Sequence, residues 1–568
     1  MPMNVHPITL EVVRNAFVAY SEEMATALCR SAYNMMIYEV RDFCCGLIDT
    51  EGRLISQNSG GLPIFLADLG VAVLDGIERY GLDGFEPGDV VIMNHGEVCG
   101  QHLNNIVIYT PCFYEGELIA FAANRAHWVD VGGSRVGFGS YTSTEIYEEG
   151  LQLRSLKIYE AGKRNQAIWQ ILEDNIRFPE SSLGDLRAQI AACNIADRRL
   201  AELYGRYDAA TVSACIDNIW DQSEAEARDV VRQIPDGTYE AESYLDNDGR
   251  DLNTPLRVKA SVTVKGGDMI IDYTGMHPQV NSPLNSGHSG GLAAARIAFK
   301  CLTLPNAPVN EGCFRPLELI SPEGTMVNAK PPAAIGLWSV AMPTVVDTIL
   351  RALAPALPDR IPAAHKGDMG GCSFYGYRED DGKRFLLMNI MGGGWGGKPD
   401  GDGESAAMSI CQGDVRNAPI EVQEMNYPFL IECHKLRTDS GGAGRSRGGL
   451  GVEVRYRCLQ PTTANINFDR THDAPWGLHG GREGAVNQAI IRRTDGTQEI
   501  ALKATNVKLN TGDSVTFLTG AGGGYGPPEE RSKEAIAADI KAGFISEEAA
   551  VRDYGVAPAQ GTAGEAAE

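Results

Sequence analysis

The stretch IVIYTPCFYEGELIAFAANRAHWVDVGG, residues 106–133, decides the architecture. Apolar, β-branched and aromatic residues dominate it, it carries no helical period, and a histidine and an aspartate, His127 and Asp130, follow its apolar run. It reads as buried strands with chemistry at their ends. Upstream, DVVIMNH (89–95) predicts another buried strand, and CCGLIDTEGRLISQ (44–57) predicts a hairpin turning at Asp49 to Gly52. Before these, Leu10, Val13, Phe17, Met24, Leu28 and Ala32 recur near helical spacing, which predicts one long amphipathic helix over 8–36.

Downstream, residues 165–233 predict a helical hairpin, with Ser181 or Ser182 capping ahead of Leu186, Ile190, Cys193, Leu200 and Leu203. DGTYEAESYLDNDG and RVKASVTVKGGDMIIDYTG predict antiparallel strands, and 290–303 and 343–356 predict core helices. From 385 to 526 glycine runs such as MGGGWGGKPDGDG and SGGAGRSRGGLG alternate with strand-like pieces, and the glycines are expected to make tight turns. The fold class is therefore α+β in several subdomains: an N-terminal mixed α/β region (1–164), a helical region (165–235), a mixed α/β region (236–384), a glycine-rich β region (385–530), and a C-terminal helix with a flexible tail (531–568).

The 568 residues exceed the roughly 250 to 300 at which single cores stop growing. A formal charge of -24 repels nucleic-acid phosphates and anionic headgroups, so neither nucleic acid nor a membrane is an expected partner. With no signal-like N-terminus and no long apolar run, a cytoplasmic protein is expected. The thirteen cysteines show no CxxC spacing and are read as buried free thiols.

Gly392, Gly397 and Lys398 satisfy the start of a phosphate-binding loop, but Pro399 replaces its hydroxyl residue and PDGDG cannot open a helix, so no ATP site is expected in this chain. A better signal is Asp42, His102, His127 and Asp130. One carboxylate and two imidazoles suit zinc, manganese or iron while leaving positions open, although single histidines near strand ends are more often structural. Asp130, followed by Val131, Gly132 and Gly133, reads equally as a turn residue or as a partner orienting His127, and as a base if it faces the cavity. His95 and Cys99 are left as loop residues.

In series, RDFCCGLIDTEGRLISQ, PGDVVIMNHGEVCGQHLNNIVIYTP, GELIAFAANRAHWVDVGG, EIYEEGLQL and GDLRAQIAACNIADRRL resemble the N-terminal half of hydantoinase B/oxoprolinase proteins. The resemblance continues through IDYTGMHPQVNSPLNS, GGGWGG, CQGDVRNAPIEVQE and GGGYGPP. It implies a two-component catalyst: an A-type ATPase partner binds ATP and phosphorylates a small carbonyl substrate, and the B-type chain completes the reaction beside a divalent metal. Carried over, the ligands fall on Asp42, His102, Asn105 and His127. Here HLPD is HLNN, so Asn105 brings a neutral amide where relatives have a carboxylate. The first expectation is an ATP-dependent hydrolase of hydantoin-type or lactam-type cyclic amides. The alternatives are a subunit of an ATP-dependent ketone carboxylase and a noncatalytic assembly subunit.

Overall fold

The computed structural model describes residues 5–137 and 139–556. The expected flexible tail, 557–568, lies outside the described residues. Helix α1 (Pro7–Ser31) starts on a proline whose missing N–H costs nothing in a first turn, and the His6 ring accepts the Ile8 N–H. It ends at Ser31 rather than running to 36, because the Asn34 side chain accepts the Met36 N–H and starts a separate turn, Met35–Tyr38.

Seven strands then build one antiparallel sheet: β1 (Phe43–Ile48), β2 (Leu54–Gln57), β3 (Val90–Met93), β4 (Asn105–Tyr114), β5 (Glu117–His127), β6 (Leu156–Glu160) and β7 (Lys163–Arg164), in the order β2-β1-β5-β4-β3-β6-β7. The hairpin expected at Asp49 joins β1 to β2, with the Asp49 carboxylate accepting the Glu51 and Arg53 N–H groups and Gly52 at φ 78°. Between β2 and β3 runs helix α2 (Asp68–Tyr80). Alternation along β4 and β5 sorts two cores. Ile106, Ile108, Ala122 and Ala126 face one, with α1 and the long helix α3 (Pro179–Tyr207), while Val107, Tyr109, Phe121 and Ala123 face the other, shared with the rest of the chain. α3 opens on Pro179, so Ser181 and Ser182 lie inside its first turns and do not cap it. A single residue, Asp208 at φ 56°, joins α3 to α4 (Ala209–Val231), and its carboxylate caps the Thr211 N–H.

A second sheet, β11-β10-β9-β8, is formed by β8 (Gly237–Leu245), β9 (Leu256–Lys265), β10 (Asp268–Asp272) and β11 (Leu317–Ile320). The expected core helices are α5 (His288–Thr303) and α6 (Trp338–Leu353), and α6 packs on α5 and on β8 and β9. Two further sheets follow. One orders β13 (Arg384–Ile390), β12 (Gly371–Tyr377), β16 (Thr462–Asn467) and β19 (Lys503–Leu509); the other orders β14 (Phe429–Leu436), β15 (Val452–Cys458), β20 (Ser514–Leu518), β17 (Gln488–Arg492) and β18 (Gln498–Ile500). Helices α7 (Lys533–Ala542) and α8 (Glu547–Tyr554) close the described chain. The fold class is α+β, as the sequence predicts. The expected division at 384/385 does not follow the fold, since it falls at the start of β13, which pairs along its whole length with β12.

The glycine runs also do something other than turn. Gly394 donates to the Gly520 carbonyl, Gly397 to Gly523, Gly449 to Trp395 and Gly522 to Gly449, so three runs lie backbone against backbone. A Cβ on Gly394 would stand 1.9 Å from the Gly449 carbonyl oxygen, and one on Gly522 1.8 Å from that of Trp395. Close approach, not positive φ, excludes side chains here. Gly394→Ala is expected to lower stability by about 3 kcal/mol, because rigid backbone must move, whereas Gly60→Ala, with nothing within 4 Å, should stay within about 0.5 kcal/mol. Urea unfolding of both variants checks this.

Candidate active site

Three neighbouring strands bring the site together. In the β1–β5 ladder Phe43 pairs with Ala126, and in the β4–β5 ladder Asn105 pairs with His127. The His127 N–H donates to the Asp42 carbonyl at 3.1 Å, so Asp42, His127 and Asn105 stand in a row at one sheet end. His102 comes from the loop before β4. All four side chains line one small cavity of about 30 Å³, shared with Met36, Ile64 and Phe65, with Trp338 and Ser339 of α6, and with Met388, Asn389 and Gln412.

The donors converge. His127 Nδ1 lies 3.1 Å from His102 Nε2 and 3.1 Å from Asn105 Oδ1, and the two rings meet edge-on with centroids 4.8 Å apart. His102 Nδ1 is 3.3 Å from the Gly336 carbonyl oxygen, which only accepts, so Nδ1 carries the proton and Nε2 offers a lone pair. Two acceptors, His102 Nε2 and Asn105 Oδ1, thus aim at His127 Nδ1. A proton on that nitrogen satisfies both, and a cation held among the three atoms would do the same once His127 carries its proton on Nε2. Two imidazole nitrogens sharing a zinc-like ion at about 2.0–2.1 Å stand roughly 2.9–3.4 Å apart in octahedral or tetrahedral geometry, and the observed spacing falls in that interval. Among the described residues no group of three His, Cys, Asp or Glu side chains meets at metal-binding spacing; the convergent set is two imidazoles and one amide oxygen, with Asp42 on the same wall.

Burial sets the protonation states. It presses His102 down to about 3 and His127 well below the usual histidine range, with Arg125 adding to both, so both imidazoles are neutral at ordinary pH. Burial raises the Asp42 carboxyl to about 7, against the pull of Arg125. Behind His102, Glu149 accepts the Ile335 and Gly336 N–H groups at 2.9 and 2.8 Å and so fixes the backbone that receives His102. Burial raises this carboxyl to about 8 in spite of those bonds.

The structure does not bring Asp130 to the cavity. Its carboxylate accepts the backbone N–H groups of Gly132, Gly137 and Arg177 and pairs with the Arg177 guanidinium at 2.9 Å, so all its capacity goes into holding the 130–137 loop. The expectation that it acts as a base or faces the cavity is therefore corrected. The phosphate-loop lookalike ends in a turn in which Lys398 N–H donates to the Gly401 carbonyl, and the Lys398 ammonium faces Glu404. Sequence reasoning missed Ser339, Asn389, Gln412 and Glu149, which come from distant segments. It could have found Arg125, since period-two alternation puts Arg125 on the same face as His127.

The hydantoinase B/oxoprolinase family model matches residues 6–528. The chain belongs to this family. A putative B-type subunit of a D-/L-hydantoinase from Pseudomonas sp. (strain NS671) is 33% identical over 97% of this chain and 95% of the relative. The crystal structure of the ATP-dependent caprolactamase of Pseudomonas jessenii superposes with a TM-score of 0.93 at 28% identity, covering 98% of this chain and 97% of that one. A nucleotide-free acetone carboxylase structure shares the fold, with a TM-score of 0.89 at 19% identity over 98% of this chain and 80% of that one. Among the described residues no helix is long and apolar enough to cross a membrane.

Asp130→Asn is expected to cost about 2 kcal/mol of stability by weakening a buried ion pair, without altering the cavity, which Asp130 does not line. Thermal unfolding together with the catalytic rate separates the two effects: a rate loss at full folding would return Asp130 to the chemistry.

Proposed function

We propose that this chain is the B-type subunit of an ATP-dependent hydrolase of small cyclic amides, with Asp42, His102, Asn105 and His127 holding a divalent zinc, manganese or iron ion. The observation that carries the reading is the convergence of His102 Nε2, His127 Nδ1 and Asn105 Oδ1 in one buried cavity with Asp42. The relatives support hydrolysis, since a hydantoinase and a caprolactamase are both named for cyclic-amide substrates.

When bound, the ion supplies a Lewis acid and a water of lowered pKa. The chain's own residues do the remaining work. Neutral imidazoles offer lone pairs without having to lose a charge-bearing proton, and Glu149 keeps the Gly336 carbonyl in place to hold the His102 tautomer. The apolar wall of Met36, Ile64, Phe65 and Trp338 limits bulk water around a reactive intermediate. Ser339, Asn389 and Gln412 offer hydrogen bonds to an amide. An amide carbonyl resists water until its oxygen is phosphorylated, and an A-type ATPase partner performs that step in this reading.

No Lys or Arg is among the described residues lining the cavity, while Asp42 is. Apart from the ion, the cavity wall offers no cation to a ring bearing a free carboxylate, so the favoured substrate is uncharged. Coexpressed with its A-type partner, the chain should turn over an unsubstituted lactam at least about tenfold better than one with a free carboxylate. The isolated chain should not bind ATP in a calorimetric titration. Asp42→Ala, His102→Ala and His127→Ala should each lower divalent-ion affinity by about 100-fold and abolish ATP-coupled ring opening, while the circular dichroism spectrum is unchanged. Wild-type ion content retained in all three variants would end the proposal.

A further inference from the structure

Asn105 occupies a ligand position with a neutral amide, and an amide in that position works only if its oxygen, not its nitrogen, faces the imidazoles. Three buried side chains behind it settle which end that is. Arg125 of β5 lies over the Phe65 ring and pairs with the Asp68 carboxylate at the start of α2 at 3.1 Å, both fully buried. A carboxylate beside a guanidinium only accepts, so the neighbouring Gln101 must turn its amide nitrogen toward Asp68, where Nε2 bonds Oδ2. The second hydrogen on that nitrogen points at another pure acceptor, the Ile64 carbonyl oxygen, at 3.4 Å. The oxygen of Gln101 therefore faces Asn105, whose Nδ2 donates to it at 3.0 Å. That leaves Asn105 Oδ1 directed at His127 Nδ1.

We infer that Arg125, Asp68 and Gln101 are positioning residues that act as a one-way hydrogen-bond relay, setting the amide of Asn105 with its oxygen toward the ligand cluster. Each link inverts the next: acceptor at Asp68, donor then acceptor at Gln101, donor then acceptor at Asn105. The relay itself rests on hydrogen-bond chemistry, and only its consequence for ion binding rests on the metal reading above. It also makes Asn105 and Asp68 interdependent across Gln101. Asn105→Asp puts acceptors at both ends of Gln101, and one amide cannot donate from both its ends. Moving the acid, by Asp68→Asn with Asn105→Asp, restores consistency with the polarity reversed. The amide now at position 68 donates to the Gln101 oxygen, and the Gln101 nitrogen donates to the carboxylate now at position 105. The swap conserves composition and charge.

The test is a double-mutant cycle on the full chain, wild type, Asp68→Asn, Asn105→Asp and the swap, with ion-free thermal unfolding and zinc titration as the two readouts. In the ion-free chain each single variant should melt several degrees below wild type, and the swap should melt clearly above the sum of the two losses, because it removes the conflict at Gln101 although it does not restore the Arg125–Asp68 ion pair. Zinc affinity should exceed that of wild type in both Asn105→Asp and the swap, since a carboxylate at position 105 presents an oxygen to the imidazoles whichever way Gln101 turns. If a single variant does not fold, soluble yield carries the same comparison: a swap that folds no better than the singles overturns the relay. Additive melting losses overturn it as well. Zinc binding in none of the four proteins, with melting coupling intact, overturns the metal reading and leaves the relay standing.

Discussion

Asn105 opposite His127, and Phe43 opposite Ala126, is the pairing on which the site depends. Strand side chains alternate faces, so a slip of one residue between β1, β5 and β4 would turn Asp42, His127 or Asn105 away from the cavity and expose core residues in exchange. The register is held by burial on both faces. Ile106, Ile108, Ala122 and Ala126 are enclosed by α1 and α3, and Val107, Tyr109, Phe121 and Ala123 by the rest of the chain. With both faces covered, no one-residue slip keeps both sets in their own cores.

The same burial fixes the chemistry. It holds two imidazoles neutral and lifts the Asp42 carboxyl toward neutrality, so polar groups that would be hydrated at a surface must find partners in one another. The buried cation behind the cavity, Arg125, sits over the Phe65 ring and is matched by Asp68. The far wall of the cavity comes from α6 and from β12 and β13 with the segment after them, which the glycine layer beneath keeps in place through backbone hydrogen bonds.

Much of this was legible in the sequence. The buried strands, the Asp49 hairpin and the core helices follow from apolar periodicity and turn residues, and Asp42, His102, Asn105 and His127 do share a cavity. The misreadings have local causes. Asn34 and Pro179 set helix boundaries by capping and ring geometry that a periodicity count overlooks. Asp130 looked like a partner for His127 because it lies three residues on, yet Arg177, 47 residues away in sequence, claims its carboxylate. Glycine runs read as turns because close backbone packing leaves no distinct trace in composition. Glu149, Ser339, Asn389 and Gln412 were out of reach, since their meeting depends on three-dimensional closure between distant segments.

The central claim is that His102, His127 and Asn105 converge on a cation position with Asp42 beside it. Anomalous diffraction from crystals of the purified chain equilibrated with zinc, recorded on both sides of the zinc edge, tests it most directly. The account predicts one strong peak within about 2.3 Å of His102 Nε2 and His127 Nδ1, with Asn105 and Asp42 supplying oxygen. Ordered imidazoles still 3.1 Å apart, with no anomalous density between them, would contradict it.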